Sequence, residues 1–190
     1  MKPVAALVLA AGASRRLGEP KQLVRLDGEA LVERMVRVCY EAGCSPVVVV
    51  LGASAADVRE KCVFGDTAVV MNDEWDEGMG SSVSRGVRAL PPDVMGCVIT
   101  TCDQPAVTAE HLRALMASGE LTASAYAGRR GVPAYFPLRM FAELMNLRGD
   151  EGARQLLKDA KALELANGEL DVDTPADLER ARRLFEHRPA

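Results

Sequence analysis

Three cations, Arg15, Arg16 and Lys21, stand in a stretch of small residues that follows directly on an apolar run, Val4 to Leu9. The stretch reads Leu9-Ala10-Ala11-Gly12-Ala13-Ser14-Arg15-Arg16-Leu17-Gly18-Glu19-Pro20-Lys21. Small side chains let backbone N–H groups approach an anion closely, and fixed cations neutralise its charge. A buried strand that empties into such a loop makes a phosphate cradle. Two familiar cradles are excluded by spacing. The loop runs Gly-x5-Gly-x-x-Lys, whereas a P-loop needs Gly-x4-Gly-Lys-[Ser/Thr]. It also lacks Gly-x-Gly-x-x-Gly, and the next apolar run ends in Leu51-Gly52 where a dinucleotide fold places an acid for the ribose.

Acids supply the other half of phosphate chemistry. Asp103 follows the apolar run Val94 to Thr101 within Cys102-Asp103-Gln104-Pro105. That position holds it at a sheet rim on a backbone restrained by proline. Magnesium takes one or two carboxylates plus phosphate oxygens, so Asp103 and the opening loop could share one ligand. An Asx turn is the plainer account of the same residue. Asp171 and Asp173 alternate along a short expected strand, Glu169 to Val172, and so share a face. Thr174 and Asp177 beyond them are explained as helix-capping residues. Gly78-Met79-Gly80-Ser81-Ser82 opens a helix whose first N–H groups are free, although serine capping accounts for it equally well. Gly149-Asp150-Glu151-Gly152-Ala153-Arg154 puts Arg154 on the first turn of another helix, and Gly128 to Pro133 forms a turn rich in Gly and Arg. His111 and His187 are incidental: no Ser–His–acid or Cys–His set can be assembled around them. A phosphate acceptor, already ionised at neutral pH, needs no histidine base.

The elements that must carry these residues alternate. Strands are expected at Val4–Leu9, Pro46–Leu51, Thr67–Met71 and Val94–Thr101, with helices at Ala30–Ala42, Ser54–Cys62, a segment after Ser82 and one capped by Thr108. That rhythm is the mark of parallel βαβ units. Leu121 to Pro137 reads as a hairpin, in part antiparallel. Two helices, Pro137–Leu147 and Glu151–Ala160, a short strand Leu163–Leu165 and a last helix from Thr174 to about Phe185 complete the chain. In an open sheet of this kind the ligand lies across the carboxyl ends of the strands, where the loops holding Lys21 and Asp103 both fall.

At 190 residues, with 48% hydrophobic and 26% charged side chains, the composition is that of one globular α/β domain spanning 1–190, its tail 186–190 frayed. A net charge of −4 argues against nucleic acid, and no basic run points to a membrane surface. Lys2 and the apolar run before Ala11-Gly12-Ala13 imitate a signal peptide, but the segment is short, so it is read as strand one. Five cysteines, an odd number, fit reduced thiols and a cytoplasmic location.

The pattern L-A-A-G-x-S-x-R-x-G-x-x-K closely resembles the opening signature of nucleotidyltransferases, specifically the MobA-like family that attaches a nucleotide to molybdopterin. Asp103-x-Pro105, the acids before the last helix, and the Gly131/Pro133 and Gly149–Arg154 segments resemble further family motifs in the same order. The resemblance implies a three-layer α/β/α Rossmann-like nucleotidyltransferase domain with a mainly parallel sheet. It implies Arg16, Lys21 and Asp103 as catalytic, and Asp103 with Asp173 as ligands of Mg²⁺. Leu9, Ala10, Ala11, Gly12, Arg16, Lys21, Gly80 and Ser81 are then nucleotide-binding, and Gly131, Pro133, Asp150 and Arg154 acceptor-binding. Arg15 is an extra cation expected in solvent. The Ala10-Ala11 form resembles the cytidylyl branch, where guanylyl members have a second glycine. The implied activity is transfer of CMP from CTP to the terminal phosphate of molybdopterin, with release of pyrophosphate and a molybdenum hydroxylase as recipient of the product. GTP as donor, a sugar phosphate or methylerythritol phosphate as acceptor, and a non-catalytic molybdopterin carrier are the alternatives.

Overall fold

The computed structural model describes residues 2–149 and 155–186. Its first strand, β1 (Val4–Ala10), is apolar along its whole length because both of its faces are covered. Ala6, Val8 and Ala10 face one core, and Ala5, Leu7 and Leu9 face another. A two-residue hairpin, β2 (Arg25–Leu26) and β3 (Glu29–Ala30), leads into α1 (Leu31–Glu41). Then come β4 (Val47–Leu51), α2 (Ala55–Lys61), β5 (Ala68–Met71), α3 (Met79–Arg88) and β6 (Gly96–Thr101). The second half adds α4 (Ala109–Ala117), β7 (Thr122–Tyr126), β8 (Arg129–Pro137), α5 (Phe141–Met145), β9 (Lys161–Glu164) and α6 (Pro175–Glu186).

Seven strands form one sheet in the order β5-β4-β1-β6-β8-β7-β9. Every neighbouring pair is parallel except those made by β8, which runs against both β6 and β7. The expected mainly parallel, helix-flanked α/β architecture is therefore the one observed. On one face Met35 and Val38 of α1 and Leu112 and Leu115 of α4 pack on the sheet. On the other face the packing comes from Val83 and Val87 of α3 and Leu144 of α5. A third, smaller core joins Leu17, Val24 and Leu26 of the opening segment to Leu170, Val172, Leu178 and Phe185 near the end of the chain.

Two local expectations are corrected. Glu169 to Val172 is not a strand: the Leu170 N–H donates to the Asn167 carbonyl in a turn, and the Val172 N–H donates to the Asp103 carbonyl at 2.9 Å. Leu170 and Val172 alternate because they fill the third core, not because they join a sheet. The strand expected at Leu163–Leu165 begins earlier, at Lys161, and pairs in parallel with β7. Residues 151–154 of the helix expected over Glu151–Ala160 lie outside the described residues, as do residues 187–190 of the tail; Gln155 and Leu156 are helical and a turn follows them. Thr108 caps α4 as expected, accepting from the His111 N–H. Thr174 and Asp177 bond reciprocally at the start of α6.

Candidate active site

β1 and β6 lie side by side and parallel, with Leu9 opposite Thr101, so the loops that follow them leave from one edge of the sheet. Between these loops and the start of α3 lies a cavity of about 380 Å³. Leu9 to Ala13 and Arg15 line one side, and Trp75, Asp76, Gly78, Met79 and Ser82 the other. A second cavity, of about 410 Å³, shares Lys21, Met79, Thr101 and Asp103 with the first. It continues past Gln104, Tyr126, Arg129, Arg130 and Gly131 to Asp171 and Asp173. Two chambers thus meet at one lysine and one aspartate.

The lysine is held from both ends. Its backbone N–H donates to Ser14 Oγ at 2.9 Å, which closes the opening loop on itself. Its Nζ donates to Asp103 Oδ2 and, at 2.8 Å, to Asp173 Oδ1. Arg16 reaches the other oxygen of the same carboxylate, Nη2 to Asp173 Oδ2 at 2.8 Å. Burial acts to lower the Lys21 pKa, but the charge of Asp103 and the bonds to both carboxylates outweigh it, and the ammonium is held above its ordinary range. Burial would raise Asp173, yet Lys21 and Arg16 together hold its carboxyl below the usual value. Asp171 goes the other way: burial, then the neighbouring charges of Asp103 and Asp173, push it up to about 6.

The same cluster fits a divalent cation. Asp103 Oδ1 is buried and has no hydrogen-bond partner, an orphaned acceptor of the sort a cation satisfies. Asp103 and Asp173 offer hard oxygen donors, and the Lys21 ammonium already bridges them as a positive charge. No group of three or more His, Cys, Asp or Glu ligands occurs among the described residues, so the set suits an ion that takes its remaining ligands from phosphate and water.

The model of the MobA-like NTP transferase domain matches residues 6–166 of the chain. The chain belongs to this family. Purine catabolism protein PucB of Bacillus subtilis (strain 168) is 34% identical, covering 93% of this chain and 95% of its own. A protein of Paenarthrobacter nicotinovorans named nicotine blue oxidoreductase is 32% identical, with 96% and 95% covered. The structure of Rv0371c from Mycobacterium tuberculosis H37Rv in complex with manganese matches with a TM-score of 0.81 and 30% identity, over 98% of this chain and all of that one. This MobA-like transferase is accordingly a nucleotidyltransferase by family, and a manganese complex among its structural neighbours agrees with a divalent-metal site.

Within this MobA-like fold the anticipated residues fall into three groups. Leu9, Ala10, Ala11 and Gly12 line the first cavity, Gly131 and Asp173 line the second, and Lys21 and Asp103 line both. Arg16 pairs with Asp173 at the surface, and Arg15 is exposed as expected, beside the first cavity. Gly80 and Ser81 stand behind the cavity wall. The Gly80 N–H donates to the Gly149 carbonyl, and the Ser81 hydroxyl, buried, lies 2.8 Å from the Gly78 and Glu74 carbonyls and accepts from Asn72. Gly78, Met79 and Ser82 face the space instead. Pro133 is buried, its carbonyl accepting from Ser124 Oγ at 2.6 Å. Asp150 and Arg154 lie outside the described residues. Sequence reasoning missed Trp75 as a wall residue, whereas Met79 lies in the Gly78–Ser82 segment it had singled out. It also missed the chain of bonds from Thr101 through Gln104 and Tyr126 to the Val132 carbonyl, which floors the second cavity. No short motif marks these residues, since each is brought in by a different element.

Among the described residues no helix is long and apolar enough to cross a membrane, and all five cysteines are free and buried.

Proposed function

We propose that this chain transfers CMP from CTP to the terminal phosphate of molybdopterin cofactor, with Mg²⁺ as cofactor and pyrophosphate as the second product. The observation that carries the reading is the meeting of two cavities at Lys21 and Asp103: a donor in the first and an acceptor in the second would bring their reacting atoms to one place. The first is lined by the small residues Ala10 to Ala13 at the end of β1 and by Trp75, which suits a base. The second is flanked by Arg129 and Arg130, which suit an acidic acceptor.

In this reaction an oxygen of the acceptor phosphate attacks the α-phosphorus of CTP. The new P–O bond forms as the bond to the β-phosphate breaks, and the electron pair leaves with pyrophosphate. Lys21 stays protonated and faces the charge that grows on the departing group. Arg15 beside the first cavity and Arg16, paired with Asp173, would steady the triphosphate before and during transfer. Asp103 and Asp173 would hold the metal, whose chemistry is to neutralise triphosphate charge and polarise the reacting phosphorus. The dinucleotide product is of the kind a molybdenum hydroxylase in the cytoplasm would take up.

The test is to incubate the protein with Mg²⁺, molybdenum cofactor and either α-labelled CTP or α-labelled GTP, and to identify the dinucleotide by mass. A cytidine dinucleotide with stoichiometric pyrophosphate is expected. Product only from GTP would overturn the base, and product only with a sugar phosphate or methylerythritol phosphate would overturn the acceptor. Tight cofactor binding with no turnover would make the protein a carrier.

A further inference from the structure

Strand β8 is interrupted where it borders the second cavity. Against β7 its register sets Arg129 opposite Tyr126, Arg130 opposite Ala125 and Gly131 opposite Ser124. It then jumps, so that Ala134 faces Ala123 and the residues between, Val132 and Pro133, are left over as a bulge. The bulge divides the strand. Residues 134–137 also pair with β6, whereas residues 129–131 pair with β7 alone. Arg129, Arg130 and Gly131 of this outer part, with Val132 of the bulge, line the second cavity. Whatever fixes the bulge also fixes that wall.

Carbonyls displaced from the ladder by a bulge need other partners. Those of Val132 and Pro133 both find hydroxyls of β7. The Tyr126 hydroxyl donates to the Val132 carbonyl at 2.9 Å, and Ser124 Oγ donates to the Pro133 carbonyl at 2.6 Å. Tyr126 is tied in turn to the reacting end of the site. Its oxygen accepts from Gln104 Nε2 at 3.2 Å, and buried Gln104 follows Asp103 directly. An amide N–H can only donate and a carbonyl can only accept, so both bonds of the phenol are assigned. Burial raises the pKa of Tyr126, which keeps the proton that Val132 receives. Two glycines make room for the ring. A Cβ at Gly131 would lie 2.4 Å from the Tyr126 hydroxyl oxygen, and one at Gly168 would lie 2.7 Å from ring carbon Cδ1. Phenylalanine would fill this part of the core equally well; only the hydroxyl reaches the cavity wall.

We infer that Tyr126 is a positioning residue for the acceptor: through Val132 on one side and Gln104 on the other, it fixes the arginine-bearing wall of the second cavity relative to Asp103. The inference rests on the acceptor reading of that cavity and deepens it by naming what holds the wall in place. The reacting oxygen of an acceptor has to come to the junction at Lys21 and Asp103, while the rest of the molecule lies against Arg129, Arg130 and Val132. These two ends of the site stand on different elements, and Tyr126 joins them. Its hydroxyl acts through the wall, since both of its bonds are taken by the protein. Gly131 then owes its identity to the tyrosine: the missing side chain admits the hydroxyl, and contact with the acceptor is not what demands a glycine there.

The experiment compares Tyr126→Phe, Gly131→Ala and the double variant with wild type. Tyr126→Phe keeps the ring and removes the hydroxyl, so the KM for molybdenum cofactor should rise about 10-fold, with kcat and the Kd for CTP within about twofold. The methyl of Gly131→Ala should displace the same hydroxyl and raise KM to a like extent. Once the hydroxyl is gone the methyl has little left to disturb, so the double variant should match Tyr126→Phe. Effects that multiply in the double variant would mean that Gly131 meets the acceptor itself, and would overturn the inference. A lower melting temperature with KM unchanged would make Tyr126 purely structural and overturn it too. If the variants do not fold, hydrogen exchange of wild type decides: the Arg130 and Gly131 amides should be as protected in the free protein as with molybdenum cofactor bound, and protection that arises only on binding overturns the inference. Wild type that binds CTP but shows no saturation with molybdenum cofactor overturns the acceptor reading and this inference together. Wild type that saturates with it, while Tyr126→Phe does so at the same KM, overturns the inference alone.

Discussion

At the scale of single residues the site is governed by one ammonium between two carboxylates. The place of Lys21 in the opening loop marked it as a candidate site residue, and it stands where the two cavities meet. Its ties to Asp103 and Asp173 were not legible, because those partners are 82 and 152 residues away and nothing local encodes them. Arg15 and Arg16 could not be told apart by type, only by which way the loop turns each of them. The Lys21–Asp103 pair is largely buried, at 16% and 11% side-chain exposure, so removing one partner strands the other's charge. Lys21→Met should therefore destabilise the protein by about 3 kcal/mol, and millimolar Mn²⁺ should restore much of the loss by taking the ammonium's place. Thermal melts with and without Mn²⁺ check both parts. Asp103→Asn keeps the shape and loses the charge. It should lower kcat at least 100-fold and abolish Mn²⁺ binding in an electron paramagnetic resonance titration, with the circular dichroism spectrum unchanged. Ala11→Gly removes one methyl from the cavity floor. One such contact is worth ~1–3 kcal/mol, so the preference for CTP over GTP should fall by roughly 10-fold or more in steady-state competition.

At the scale of elements, long apolar runs and capping pairs were readable, and short segments were not. β1 and β4 declare themselves because burial on both faces leaves no polar position in either. Leu170-Asp171-Val172-Asp173 carries the alternation of a strand, yet the same alternation serves an extended segment pinned to a small core by two side chains. The reversal of β8 was visible only in part: the turn at Ala127 and Gly128 makes it antiparallel to β7, but its pairing with β6 is a tertiary choice. α4 carries a pH-dependent contact. His111 Nε2 bonds Ser124 Oγ at 2.8 Å, whose own hydroxyl donates to the Pro133 carbonyl. Burial lowers the His111 pKa below its usual 6.5. The unfolded chain then takes up a proton at a pH where the folded chain does not, so stability is complete above about 6.5 and falls as the pH drops below it. His111→Gln should flatten the fall in melting temperature between pH 7 and pH 5, as read by scanning calorimetry. An unchanged acid limb would place the proton uptake elsewhere.

At the scale of the whole molecule, the parallel half of the sheet carries the first cavity, and the reversal at β8 opens the second. The rhythm of strands and helices was enough for the fold class. Strand order was out of reach of the sequence, because crossovers of similar length could have placed β6 on either side of β1. The third core explains how the two ends of the chain meet. Leu17 and Leu26 pack with Leu178 and Phe185, so the residues after the opening loop and those flanking Asp173 share one apolar contact. The reach of Arg16 across to Asp173 depends on that closure.

The bond from the Gly80 N–H to the Gly149 carbonyl, at 2.8 Å, pins the first turn of α3, whose Met79 lines both chambers, and makes them partners in a thermodynamic cycle. A side chain at position 80 would collide with the backbone of Arg148 and Gly149, at 2.7 to 3.0 Å, so only glycine lets the first turn of α3 lie this close. The wall that carries Met79 and Ser82 cannot shift without moving the backbone at Gly149. A ligand that orders one side therefore changes the free energy of binding at the other, and linkage makes the effect reciprocal. Whatever factor the acceptor adds to CTP affinity, CTP adds to acceptor affinity. Gly80→Ala should push the segments apart and reduce that factor from about 10-fold toward one, with each ligand alone binding nearly as before. Calorimetric titration of each ligand, in the absence and presence of the other, closes the cycle. Equal coupling in the glycine and alanine proteins would show that the two chambers communicate through Lys21 and Asp103 instead.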